Sequence, residues 1–93
     1  MANLLVRVKI MPKEAETQPE QVKQDILRLN PKLEIRSSKE EPIAFGLVAL
    51  IADFITDDVS GAMEEIENSI RASALVGEFD VVGTSRISAT VRK

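Results

Sequence analysis

The stretch "KEEPIAFGLVAL", Lys39 to Leu50, runs from three charged residues through a proline into a nearly unbroken apolar segment. From Ile43 to Ile55 both alternating sets of side chains are largely apolar, which predicts a central strand. The segment before it, "KLEIRSS", Lys32 to Ser38, is short and charged, and charges on an edge strand discourage pairing with another molecule. A short loop containing Pro42 separates the two, so they are predicted to form a hairpin.

The remaining elements fall into place around this hairpin. "LLVRVKIM", Leu4 to Met11, sets Val6, Val8 and Ile10 against Leu5, Arg7 and Lys9, the alternation of a strand with one buried and one wetter face. Pro12 ends it, and the polar run to Gln18 reads as a loop. Thr17 and Glu20 have capping-box spacing and Pro19 suits a first helical turn. Val22, Ile26 and Leu29 then share one helix face, until Asn30-Pro31 stops the pattern. Beyond the central strand, Asp57, Asp58 and Ser60 offer caps for a second helix, with Met63, Ile66 and Ile70 on its inner face and Glu64, Glu65 and Glu67 turned mainly to water. Gly77 marks a further break before "EFDVVGTSR", Glu78 to Arg86, a last strand weakened near Gly83. The order βαββαβ predicts an α+β, ferredoxin-like sandwich: a four-stranded antiparallel-type sheet, first and third strands central, with two helices on one face.

Ninety-three residues suffice for one domain, so 1–93 is expected to form a single core, with 88–93 able to serve as a C-terminal tail. The chain contains no cysteine and no histidine, which excludes disulfides, thiolate chemistry and the usual zinc sites and removes the commonest general base. A net charge of -3 argues against broad attraction to nucleic acid. Met1 to Leu5 is too short for the apolar part of a secretory signal, and no apolar run approaches the roughly 20 residues that span a bilayer. The expectation is a cytoplasmic protein that contacts no membrane and carries no cofactor.

Each polar constellation has a plain explanation beside its chemical one. Asp53, Asp57, Asp58, Glu64 and Glu65 could attract a hard cation, but their spacing does not match a calcium loop, and capping with a solvated helix face accounts for them more simply. Ser37, Ser38, Thr84 and Ser85 lack a histidine base; Lys39 is the formal substitute, and turn hydrogen bonding the simpler role. The only aromatics, Phe45, Phe54 and Phe79, read better as packing than as base-stacking platforms, since the aromatic-rich strand of an RNA-recognition sheet is missing. Arg86 alone reads as a solvated cation at a strand end.

Taken together, "VRVKIMP", "EEPIAFGLVAL" and "FDVVGTSRI" resemble the archaeal translation elongation factor 1-beta family and the exchange domain of its eukaryotic relatives. The likeness covers nearly the whole chain, and "EPIAFGL" followed by a strand is its most specific part. The resemblance implies a guanine nucleotide exchange factor that binds the elongation factor 1-alpha GTPase, promotes GDP release and makes no covalent bond. It also implies a disruptive basic residue near the end of the last strand, matched by Arg86, and a partner-facing role for Pro42, Phe45 and Gly46. Read without the resemblance, Pro42 stiffens a hairpin, Phe45 fills the core and Gly46 eases a bulge. The chain continues "SATVRK", Ser88 to Lys93, past the point where such proteins commonly end, which adds Arg92 and Lys93 as cations near the same end. A small-ligand regulatory module is the alternative, because this fold hosts many functions; an enzyme is a third and weaker one.

Overall fold

The computed structural model describes residues 2–57 and 61–88. Its elements are β1 (Ala2–Pro12), α1 (Pro19–Leu29), β2 (Glu34–Pro42), a 3-10 turn (Ala44–Gly46), β3 (Val48–Asp57), α2 (Ala62–Ala72) and β4 (Val76–Ser88). The strands lie in the order β2-β3-β1-β4 and every neighbouring pair is antiparallel. This is the predicted βαββαβ sandwich, with the first and third strands in the middle.

Alternation in the central strands decides which face is covered. Val6, Val8 and Ile10 stand opposite Phe54, Ala52 and Leu50, so all six share one face of the sheet. Against that face pack Val22 and Ile26 of α1 and Ile66 and Ile70 of α2, each buried. Burying one such side chain contributes about 1.5–3 kcal/mol, which makes this aliphatic layer the main source of stability. The opposite face is open and carries Leu5, Arg7 and Lys9 of β1 beside Ile55, Asp53 and Ile51 of β3.

The helices are tied to one another by side chains at their ends. Asn30, which closes α1, donates through Nδ2 to Ser69 Oγ at 2.9 Å and Glu65 Oε2 at 3.1 Å on α2. Ser73, which closes α2, donates its hydroxyl to Asp25 Oδ2 of α1 at 2.6 Å. That bond, with help from Arg28, holds the Asp25 carboxyl below the ordinary carboxylate range.

Several local expectations shift. The start of α1 is closed one residue later than Thr17 and Glu20 suggest: Gln21 Oε1 accepts the Gln18 amide at 2.8 Å. Leu29, the last residue of α1, is exposed rather than buried with Val22 and Ile26. The α2 cap is Gly61 in the left-handed region rather than a capping side chain; Asp58 and Ser60 lie outside the described residues. β2 extends through Glu40, Glu41 and Pro42, while Ile43–Leu47, expected as strand, is a turn. β4 begins before Gly77, and its irregularity near Gly83 is a bulge in which Val82 has no partner on β1.

Candidate functional site

Pro42, Phe45 and Gly46 come together at the turn between β2 and β3. Pro42 is the last residue of β2, an edge strand, where a missing amide donor is tolerated. The turn closes through Ile43 N–H to the Leu47 carbonyl at 2.8 Å and Leu47 N–H to the Ala44 carbonyl at 3.2 Å. To meet that geometry, Phe45 (φ 64°, ψ 30°) and Gly46 (φ 78°) both enter the left-handed region. Glycine does so freely, whereas a bulky L-residue does so at a cost of about 1–2 kcal/mol. Phe45 is also 94% exposed, so its ring fills no core. The other two aromatics do: Phe54 is fully buried, and Phe79 packs at the margin of the core beneath the Arg71 guanidinium, 5.3 Å from the ring centroid.

Arg86 lies at the other end of the sheet. It is exposed on β4, opposite Leu4 of β1, which in turn stands opposite Thr56 of β3. The Phe45 turn meets β3 at Val48. From Thr56 to Val48 at about 3.3 Å per residue, the two features are separated by roughly 26 Å along the sheet. The fold thus gathers Pro42, Phe45 and Gly46 and holds Arg86 apart from them. Arg92 and Lys93 lie outside the described residues.

Between the two ends the open face carries a polar row. Arg7 donates from Nε to Asp53 Oδ1 at 2.7 Å and from Nη2 to Asp53 Oδ2 at 3.0 Å, a two-pronged guanidinium–carboxylate pair. Ser37 Oγ donates to Asp53 Oδ2 at 3.1 Å, so one carboxylate links β1, β3 and β2. Asp53 is only 7% exposed; the Arg7 hydrogen bonds keep its carboxyl below the ordinary range against the opposing effect of burial. This commits Asp53 to the sheet rather than to the acidic group in which its sequence position puts it. Its signal was legible only as a mismatch: an acid in the middle of an apolar strand. None of the three phenylalanines lies on this open face, so it offers no aromatic platform for bases.

Among the described residues no three Asp or Glu side chains converge as a cation site, and no helix is long and apolar enough to cross a membrane. The feature that packing leaves unexplained is the strained, exposed Phe45 turn.

The family model described as the EF-1 guanine nucleotide exchange domain matches residues 5–87. Curated relatives named elongation factor 1-beta include those of Thermofilum pendens (33% identical, 95% of this chain and 99% of the relative) and Methanobrevibacter smithii (35%, 94% and 99%). A third, from Methanocaldococcus jannaschii, is 34% identical over 95% of this chain and 98% of its own length. Among solved structures, the C-terminal domain of the MgtC protein from Mycobacterium tuberculosis superposes with a TM-score of 0.51 at 17% identity, covering 92% of this chain and 87% of that one. At that identity the likeness is one of fold.

Proposed function

The chain belongs to the EF-1 guanine nucleotide exchange domain family, the nucleotide exchange factors of translation elongation, and on that footing we propose that it binds the elongation factor 1-alpha GTPase and promotes release of GDP so that GTP can bind. The observation that carries the reading is the family match over residues 5–87, which takes in both the Phe45 turn and Arg86.

The proposed activity is coupling rather than covalent catalysis. A protein that binds the nucleotide-free partner more tightly than the GDP-bound one weakens GDP binding by the same factor, tenfold for every 1.4 kcal/mol of difference. Arg86 is the residue assigned to that difference. A planar guanidinium brought beside the partner's magnesium and phosphate site competes with the ion for acidic groups and loosens its bridge to phosphate. Pro42, Phe45 and Gly46 supply affinity at the other end: the turn already fixes the backbone that presents the Phe45 ring to solvent, so only the ring's own rotamer freedom is lost when it docks. A partner that meets both ends must present two surfaces roughly 26 Å apart.

The test is release of labelled GDP from the cognate elongation factor 1-alpha. Wild-type protein accelerates release, and Arg86→Ala, still folded by circular dichroism, loses about tenfold or more of that acceleration, within the usual range of coupling energies. No acceleration by wild-type protein with an active partner rejects the exchange reading. Acceleration undiminished in Arg86→Ala rejects only the assignment of the disruptive cation.

A further inference from the structure

The two outer strands are guarded differently. β2 presents Arg36, Lys39, Glu40 and Glu41 and closes on Pro42, a charged and proline-ended edge that resists pairing with another chain. β4 is bonded only to β1, and from Phe79 to Ser85 it carries one charge, Asp80, with no lysine and no proline. Val81 and Val82 on it are 37% and 58% exposed.

Beside the first half of β4, against α2, lies a groove of about 610 Å³. Val76, Phe79 and Val81 give it apolar lining, and Glu67, Glu78 and Asp80 contribute carboxylates. The one cation there, Arg71, is drawn to Glu67 at 3.7 Å and laid over the Phe79 ring, which leaves Glu78 and Asp80 as the acids along the strand itself. Register gives this lining a direction. Phe79 and Val81 stand opposite Ile10 and Val8 on the helix side of the sheet, whereas Glu78 and Asp80 stand opposite Met11 and Lys9 on the open side. An unpaired strand edge beside a helix, with a groove between, is the arrangement in which strand addition gains backbone hydrogen bonds and side-chain specificity together.

We propose that β4 takes an extended segment of another protein, added as an outer strand, whose residues alternate aliphatic and basic. Its aliphatic side chains lie on the helix side with Phe79 and Val81, and its lysines or arginines on the open side with Glu78 and Asp80. The pairing is short, because register irregularities at Gly77 and at Val82 leave Glu78–Val81 as the regular stretch between them. A second copy of this chain is the wrong occupant: any face-matched antiparallel pairing of this stretch with itself sets acid against acid, Glu78 on Asp80 or Asp80 on Asp80.

The probe is a fluorescein-labelled hexapeptide alternating lysine and valine, titrated into the full chain and followed by anisotropy and by amide chemical-shift mapping. Saturable binding is expected, with shifts confined to β4 residues Val76–Val82 and the adjoining turn of α2. A peptide with three lysines followed by three valines should bind at least about tenfold more weakly, as should a glutamate–valine alternate. The doubly reversed variant Glu78→Lys, Asp80→Lys should exchange the preference and take the glutamate–valine peptide. The proposal is overturned by equal binding of the alternating and block peptides, by shifts elsewhere, or by no saturation at millimolar peptide. It is also overturned if sedimentation finds a wild-type dimer that the reversed variant abolishes. GDP release plays no part in the readout, so failure here leaves the exchange reading untouched.

Discussion

Phe45 holds a backbone conformation that disfavours every bulky L-residue and places its ring in water, and neither choice stabilises the free protein. Packing therefore offers no reason for a phenylalanine there, and the docking role proposed above supplies one. Asp53 is the opposite case: a nearly buried acid whose two oxygens are taken up by Arg7 and Ser37. Because its folded-state value is depressed, its contribution is complete above the unfolded carboxylate value near 3.9 and disappears as pH falls through the lower folded value. Asp53→Asn should consequently lower the urea midpoint at pH 7, and the gap from wild type should close at acid pH, beginning only below about pH 4. Midpoints measured for both proteins from pH 7 down to pH 2 check this, and a gap of constant size would show that lost shape, not lost charge, is responsible.

At the scale of elements, the two glycines of β4 separate close approach from open space. A Cβ on Gly77 would sit 3.2 Å from both the Pro12 carbonyl oxygen and Lys13 Cα, backbone atoms that cannot swing aside, whereas one on Gly83 meets nothing within 4 Å. Gly77→Ala should cost about 1–3 kcal/mol of unfolding free energy, as overpacking does, and Gly83→Ala should stay within about 0.5 kcal/mol of wild type. Urea denaturation of the two variants side by side tests the contrast. The same strands show what the sequence makes legible. Val6, Val8 and Ile10 against Leu50, Ala52 and Phe54 carry strict alternation, and alternation is a property of neighbours in the chain, so order and sheet topology follow from it. The start of β3 does not: Ile43–Leu47 is as apolar as the strand it precedes, and only the backbone angles of Phe45 and Gly46 reveal a turn. Nor does the Arg7–Asp53 pair, whose members lie 46 residues apart and meet only when β1 and β3 align.

Across the whole molecule, the sheet acts as a rigid spacer. The resemblance marks Phe45 and Arg86 together, but their separation is a property of strand length and register, which no local motif encodes. Eight residue steps along a central strand, Val48 to Thr56, stitched on both sides by hydrogen bonds, hold the aromatic turn and the arginine roughly 26 Å apart. Two sites that distant, with no shared side chain, should act independently on the partner. On the proposed reading, Phe45 governs how tightly the exchange factor holds, and Arg86 what it does once held. Phe45→Asn places a residue that tolerates the left-handed region at the turn, so stability should be unchanged or slightly raised. The concentration giving half-maximal GDP release should rise about tenfold or more, as for the loss of an aromatic anchor, with the rate at saturation preserved. Arg86→Ala should do the reverse, lowering the saturated rate with little change in the half-maximal concentration. In the double variant the two losses should multiply, within about 0.5 kcal/mol of additivity in free energy. Titrating each variant into labelled GDP complex separates the two parameters. A Phe45→Asn protein whose saturated rate falls while its half-maximal concentration holds would mean that the turn, too, acts on the nucleotide.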